Sequence, residues 1–210
     1  MHKTALLAAT ALLALSRAAF AQQDVATDIT NAQVQAVLNS GQKSVDHTLR
    51  VVDLGPYQLS VAVVKRGPTG QRPAGAAAPQ RPADAVPCGV TALPAGSKPP
   101  AAGGISHDDT AETYIVIAGS GTLVTGGQIM NGTRSGPDSE VTKILNGPSC
   151  GGQIVGNYVA RKVTVGDMSV IPAGVPHGWM DIPAGGVTYL SVRPDPKKVL
   201  EHGYVNPAIK

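Results

Sequence analysis

Residues 166–179 read GDMSVIPAGVPHGW and combine a strand, a turn and a histidine. The segment 168–171 (MSVI) is short and largely apolar, and a turn signal follows it, which indicates a buried strand. Pro172 and Gly174 then predict a stiff turn, because proline fixes φ and glycine adopts angles that a Cβ would obstruct. The stretch therefore predicts that a tight turn aims the imidazole of His177.

The rest of the chain also has mainly β patterns. Period-two alternation and turn signals predict strands at 48–54, 57–65, 112–119, 153–165, 168–172, 178–182 and 187–194, with a further short strand possible at 141–145. Ser120-Gly121 predicts a tight hairpin after the strand at 112–119. One short helix is predicted at 28–39, with Asp28 or Thr30 as its cap. Many short strands with frequent Gly and Pro turns predict an all-β sandwich or barrel.

The chain of 210 residues suits one domain with a core of its own. The predicted organisation begins with a signal peptide (1–21) and an N-terminal helical segment (22–46). A β-barrel (47–196) and a peripheral C-terminal tail (197–210) follow. The barrel region contains a Pro-, Gly- and Ala-rich insertion at 67–103, either a lid over a site or a surface loop.

The first 21 residues are typical of a secretory signal peptide. Lys3 lies near the start, an apolar run covers 5–15, and 19–21 form an A-x-A cleavage site before Gln22. The apolar run is too short to span roughly 30 Å of hydrocarbon. We therefore predict a periplasmic or secreted protein with no membrane span after the signal is removed.

The charge of the chain argues against nucleic acid as a partner. Removing the leader takes away Lys3 and Arg17, so the formal charge falls from +3 to +1, with 15 basic and 14 acidic residues. Such a chain has no strong electrostatic attraction to nucleic acid or to an anionic membrane.

The two cysteines, Cys88 and Cys150, predict a disulfide, because an even pair in an exported protein is usually bonded. A bond closing so long a loop stabilises a fold by about 4 kcal/mol on the chain-entropy model. Two free thiols or two metal ligands are the alternatives, and neither cysteine lies in a C-x-x-C spacing.

Two spacings resemble the signature motifs of the cupin superfamily. The segment from Gly166 to Asp181 resembles the second motif, G-x5-P-x-G-x2-H-x3-N, and only the final Asp181 departs from it. Upstream, His107-x4-Glu112-x6-Gly119 resembles the latter part of the first motif, H-x-H-x3–4-E-x6-G. This resemblance implies a cupin-type double-stranded β-helix (jelly-roll) barrel, here with a short N-terminal helix.

The resemblance also implies a metal site of His107, Glu112 and His177. The first histidine of the first motif is replaced by Ile105, so two histidines and one carboxylate remain. Such a set suits ferrous iron without being unique to it, and we predict a divalent transition metal: Fe, Mn or Zn. Asp109 is a reserve ligand. Members of this family can also lose the metal and keep the turn residues for folding alone.

Other side chains have weaker patterns. Tyr114 shares a strand face with Glu112, and Trp179 shares one with His177, so both either line a pocket or pack in the core. Glu112 is also the candidate catalytic residue, as a general base if it is not firmly bound to metal. Three arginines lie near strand ends and either bind an anionic substrate or are solvated: Arg66, Arg161 and Arg193. Two histidines without a partner pattern, His47 and His202, are expected at the surface.

Three functions fit these features. The first is a metal-dependent enzyme acting on a small organic molecule, with oxygenase, decarboxylase, lyase and isomerase chemistry all within the family. The second is a ligand-binding or sensing module without turnover, with or without metal. The third is a dimer-forming domain, since cupin barrels often pair through outer sheets, for which strands 48–65 are suited.

Overall fold

The computed structural model describes residues 25–70 and 85–210. The predicted signal peptide (1–21) and part of the predicted insertion (71–84) lie outside these ranges.

The described residues form one short α-helix, one π-helix and nine strands. The α-helix α1 covers Asn31–Leu38, and the π-helix covers Val141–Leu145. The strands are β1 (Asp46–Asp53), β2 (Gln58–Arg66), β3 (Pro87–Cys88), β4 (Gly103–His107), β5 (Glu112–Arg134), β6 (Ser149–Thr164), β7 (Met168–Ile171), β8 (His177–Met180) and β9 (Val187–Asp195).

These strands form two antiparallel sheets that share β5. The first sheet has the order β1-β2-β9-β5-β7, using the N-terminal part of β5. The second contains the C-terminal part of β5 with β3, β4, β6 and β8. The predicted all-β barrel with a short N-terminal helix is confirmed.

The helix α1 covers part of the outer face of the first sheet. Thr30 caps it, and its hydroxyl accepts from the backbone N–H of Gln33, while the Gln33 side chain accepts from the Thr30 backbone. Val34 and Val37 pack against Leu49 of β1 and other apolar side chains of this face. The predicted homodimer interface at 48–65 lies on these strands, and the homodimer stays a prediction.

The strand β5 runs without interruption through the predicted hairpin. Gly119 has φ +71°, and a Cβ there would overlap the carbonyl of Gly186, so only glycine fits this bend. The strand passes from the first sheet to the second at this point, and Ser120 begins the long ladder with β6 by pairing with Thr164. The hairpin prediction at Ser120-Gly121 is wrong, because the glycines bend the strand without reversing it.

Two further predictions of secondary structure and packing differ from the structure. Residues 141–145 form a π-helix and not a strand; the Thr142 hydroxyl donates to the carbonyl of Gly136, which favours a helical turn. The C-terminal tail is not peripheral: Leu200 and Asn206 are buried, and the Asn206 amide donates to the carbonyl of Thr48 at 2.8 Å.

The predicted disulfide between Cys88 and Cys150 is present and joins β3 to β6. Residues 85–103, the described C-terminal part of the insertion, lie along the second sheet. The backbone N–H of Val90 donates to Ile129 at 2.8 Å, and that of Ala101 donates to Ile154 at 2.9 Å.

The space between the sheets has an apolar part and a polar part. The apolar part is built around three aromatic side chains, Tyr114, Trp179 and Tyr189. The polar part is made of buried side chains on β2 and β9, including Gln58, Ser60, Ser191, Arg193 and Asp195. The predicted metal ligands lie where these two parts meet, since Tyr114 and Arg193 both contact Glu112.

Candidate metal centre

The three predicted metal ligands come together in the barrel. His107 ends β4, Glu112 begins β5 and His177 begins β8. Nε2 of His177 lies 2.8 Å from Oε2 of Glu112, and Nε2 of His107 lies 3.3 Å from the same oxygen. One ligand atom from each residue falls within 4.8 Å of the others. The side chains are 1–3% exposed, so the group is closed to bulk solvent in this conformation.

The turn before β8 places His177 beside His107. Gly174 has φ +77°, and its backbone N–H donates to the carbonyl of His107 at 2.7 Å. The carbonyl of Pro176 accepts from the N–H of Gly126 on β5 at 2.8 Å. These two bonds tie the turn to β4 and β5, so the imidazole is aimed as the sequence predicts.

Hydrogen bonds at Nδ1 set the tautomer of both histidines. The Ser149 hydroxyl donates its proton to the carbonyl of Gly147, so it accepts from Nδ1 of His107 at 2.8 Å. Nδ1 of His177 donates to the carbonyl of Val175 at 3.0 Å. With the proton on Nδ1, a neutral histidine presents a lone pair at Nε2, which is the arrangement usual in metal-binding histidines.

The two Nε2 atoms are buried and lie against Oε2 of Glu112, but neither makes a hydrogen bond of good geometry with any described residue. Two lone pairs thus face one carboxylate oxygen, an arrangement that requires a cation or a proton between them. Imidazole and carboxylate donors together suit divalent iron, manganese or zinc. The residues present therefore fit a metal ion.

The carboxylate of Glu112 is held by three donors. Arg193 Nε donates to Oε1 at 2.6 Å, the Ser191 hydroxyl donates to Oε1 at 3.0 Å, and the Tyr114 hydroxyl donates to Oε2 at 2.8 Å. Burial opposes ionisation, but the charge of Arg193 and the contacts with His107 and His177 together outweigh it and hold the pKa of Glu112 well below its usual range. A carboxylate with so low a pKa is a weak proton acceptor and a good ligand.

His107 is kept in the form that a metal requires. Burial lowers its pKa, and the neighbouring Glu112 offsets this only in part. The imidazole is therefore neutral near pH 7, with the Nε2 lone pair available.

Arg193 is a member of the site that sequence reasoning missed. It was expected near a strand end, either solvated or bound to an anionic substrate, yet it is 1% exposed. Besides Glu112 it contacts Asp46 through Nη2 at 2.7 Å and the carbonyl of Leu145 through Nη1 at 3.2 Å. The strand alternation that buries Tyr189 on β9 also buries residue 193 and was the available signal.

The two predicted pocket residues have different roles. Tyr114 contacts the site directly, because its hydroxyl bonds to Glu112 and its ring lies edge-on to His177 at 5.9 Å. Trp179 packs in the apolar part and stacks on Tyr189 at 5.2 Å between ring centroids.

Asp109, the predicted reserve ligand, lies outside the group. Its carboxylate pairs with Lys197 at 2.8 Å. His47, expected at the surface, is buried, whereas the side chain of His202 is 72% exposed as expected. Ile105 lies on β4 and pairs with His177 in the backbone ladder, so no third histidine reaches the group from that position.

Two clefts flank the turn that carries His177. One of about 270 Å³ opens between the edges of β6 and β7, with Arg161 and Val175 in its lining. Arg161 donates to the Ser169 hydroxyl there at 2.7 Å, so it too has a protein partner. The other cleft, of about 280 Å³, is lined partly by Gly174 and Pro176. Neither lining includes the three ligands, so the turn separates them from both clefts.

No protein-family model and no curated protein sequence matches the chain. Among solved structures, a protein of Bacillus halodurans is 13% identical, with a TM-score of 0.38 and 88% of this chain and 92% of that chain covered. A recombinant oxalate oxidase in complex with glycolate is 13% identical, with a TM-score of 0.34, 76% of this chain and 56% of that chain. An uncharacterized conserved protein with a double-stranded beta-helix domain from Klebsiella pneumoniae is 14% identical, with a TM-score of 0.33, 72% of this chain and 80% of that chain. The chain thus spans about half of the oxalate oxidase.

The two antiparallel sheets that share β5 form a double-stranded β-helix, the fold that the two sequence motifs predict. Within that fold, the buried group of His107, Glu112 and His177 could hold a metal ion. No helix in the described part of the chain is both long and apolar enough to cross a membrane.

Proposed function

We propose that the chain is an exported, metal-dependent cupin enzyme acting on a small organic molecule. Its centre is His107, Glu112 and His177, which hold a divalent iron, manganese or zinc ion. The observation that carries this proposal is the convergence of two buried Nε2 atoms on one oxygen of an ionised carboxylate.

The metal, when bound, supplies a Lewis acid, or a site for dioxygen chemistry if it is iron. The protein's own contribution is positional. Ser149 and the carbonyl of Val175 orient the two imidazoles, and Tyr114 with Arg193 orients Glu112. The lowered pKa of Glu112 favours its role as a ligand over the alternative role as a general base.

The second candidate function is a non-catalytic module that binds or senses a small ligand. The observation in its favour is Ile105, which occupies the position of the first motif histidine and leaves the group with three ligands. The three side chains are also only 1–3% exposed. An enzyme requires a path for its substrate. The two clefts beside the turn at 172–176 provide that path only if the turn moves.

Metal analysis tests the centre. Protein purified without chelators and supplied with iron, manganese or zinc is expected to hold about one ion per chain. His177→Ala is expected to lose this ion, because a nitrogen ligand is removed and two donors remain. His202→Ala, which changes an exposed histidine, is the matched control and is expected to keep it. Metal-free wild-type protein under all three conditions would contradict the proposal.

Export to the periplasm or the outside is part of the same proposal. The disulfide between Cys88 and Cys150 supports it, since such bonds persist in oxidising compartments. Expressed with its leader in a bacterium, the protein is expected to appear in the periplasm or medium with the mass of a chain that begins at Gln22. Intact-mass measurement of the fractions checks this, and a cytoplasmic chain that retains 1–21 would contradict it.

A further inference from the structure

We propose that Arg193 is a positioning residue that restricts Glu112 to binding the metal through a single oxygen, Oε2. This inference rests on the metal centre proposed above and concerns how that centre is built. It starts from the number of lone pairs that the carboxylate has left.

An ionised carboxylate offers about four lone-pair sites, two on each oxygen. On Oε1 of Glu112, one is taken by Arg193 Nε at 2.6 Å and the other by the Ser191 hydroxyl at 3.0 Å. On Oε2, one is taken by the Tyr114 hydroxyl at 2.8 Å. One lone pair therefore remains, on the oxygen that faces the two histidines.

The guanidinium of Arg193 is itself fixed from three sides. Nη2 bonds to Asp46 at 2.7 Å, Nη1 bonds to the carbonyl of Leu145 at 3.2 Å, and Nε also approaches the Ser191 hydroxyl at 3.0 Å. Asp46 comes from β1 and Leu145 from the π-helix, so elements outside the cupin motifs hold the arginine. A planar donor fixed in this way cannot follow the carboxylate if Glu112 rotates.

This arrangement has two consequences for a bound ion. Glu112 supplies one donor atom, so with the two histidines the protein fills three coordination positions and leaves the others to water or a small ligand. Arg193 pairs with both Glu112 and Asp46, so with neutral histidines this buried group carries one net negative charge, which favours a bound cation.

The test uses cobalt(II), whose visible absorption reports coordination number and geometry. Full-length Arg193→Met is expected to bind cobalt about 10–100-fold more weakly than wild type, as when other supporting residues of metal ligands are lost. Its fully loaded absorption spectrum is expected to change, because the freed carboxylate can bind through both oxygens. Arg193→Lys keeps the positive charge but lacks the planar guanidinium, so its spectrum is expected to differ from that of wild type, as in Arg193→Met.

Arg66→Met is the matched control. Arg66 lies on β2 and donates from Nε to the Tyr189 hydroxyl at 3.0 Å, away from Glu112. This variant is expected to melt at a lower temperature while its cobalt affinity and spectrum stay those of wild type. If Arg193 only stabilises the fold, Arg193→Met will likewise melt at a lower temperature with wild-type cobalt affinity and spectrum. That result would overturn the inference.

The outcomes separate this inference from the proposed function. Cobalt binding by wild type, with unchanged affinity and spectrum in Arg193→Met, would overturn the positioning role alone. Failure of wild type to bind cobalt would overturn both. If Arg193→Met does not fold, Ser191→Ala removes the second donor to Oε1 and is expected to shift the spectrum; an unchanged spectrum would again count against the inference.

Discussion

Replacement of Glu112 with alanine is expected to destabilise the protein by about 3–5 kcal/mol and to abolish metal binding. Removing one partner of a buried ion pair leaves the other charge uncompensated, at about that cost. Arg193 keeps Asp46 as a partner, but the Tyr114 and Ser191 hydroxyls also lose their acceptor in a buried site. Each such loss adds to the cost. Urea unfolding of the metal-free proteins measures the difference.

Glu112→Gln is the control that separates charge from shape. The amide oxygen can still accept from Arg193, and the amide group can donate to an Nε2 atom. We expect this variant to fold with a smaller loss of stability and still to lose stoichiometric metal. Wild-type metal content in Glu112→Gln would contradict the assignment of Glu112 as a ligand.

Wild type and Glu112→Gln are also expected to differ in how their stability depends on pH. The pKa of Glu112 is lowered by folding, so its ionisation stabilises the fold above the unfolded-state pKa of about 4.3. That stability is lost as pH falls through the acid range towards the folded-state pKa. The metal-free wild type is therefore expected to lose more stability on acidification than Glu112→Gln, and equal losses in the two proteins would contradict this.

Loss of the disulfide is expected to destabilise the protein by about 4 kcal/mol. The cysteines are 62 residues apart, and the chain-entropy model gives that figure for a loop of this length. The bond also lies beside the metal centre, because Cys150 follows Ser149, the acceptor of the His107 Nδ1 proton. We expect the variant Cys88→Ser with Cys150→Ser to unfold at lower urea concentration and to bind metal more weakly.

Reductant supplies the control for the disulfide. Wild type treated with dithiothreitol is expected to fall to the stability of the double-serine variant, which should not respond to reductant. A reduced wild type as stable as the oxidised one would contradict the stabilising role of the bond.

The parts of the fold that the sequence predicts are those coded by short spacings. The turn at 172–176 and both histidine ligands belong to local motifs, in which each residue lies a fixed number of positions from the next. Steric limits on proline and glycine act over the same short distances. The grouping of His107, Glu112 and His177 was predicted for that reason, and the structure brings the three side chains together.

The parts that the sequence does not predict depend on partners far along the chain. Arg193 is buried because Asp46, 147 positions away, and Glu112, 81 positions away, balance its charge. No local pattern indicates such pairing. The alternation along 187–194 does indicate that residue 193 faces inward. An arginine at such a position is nevertheless expected to be solvated unless its buried partners are known.

Two elements were predicted wrongly, each for a different physical reason. The segment 141–145 has β-branched residues that suit a strand, yet hydrogen bonds to the preceding turn fold it into a π-helix. Gly119 and Gly121 are typical of a hairpin, yet β5 continues because β9 pairs with it up to Gly119 and β6 pairs with it from Ser120 onward. Local side-chain hydrogen bonds decided the first case, and tertiary strand pairing decided the second.

The position of Glu112 at the start of β5 has a consequence for how the proposed centre releases a bound metal ion. Glu112 begins a strand whose ladders bind β7 and β9 on one side of the bend and β6 and β8 on the other. Freeing Glu112 by local opening would break the ladders of β5 with β7 and β9, so the carboxylate belongs to the cooperative folding unit of the first sheet. The turn at 172–176 is tied by few backbone bonds. We therefore expect that the lifetime of a bound ion is set by motion of this turn, while the sheets remain intact.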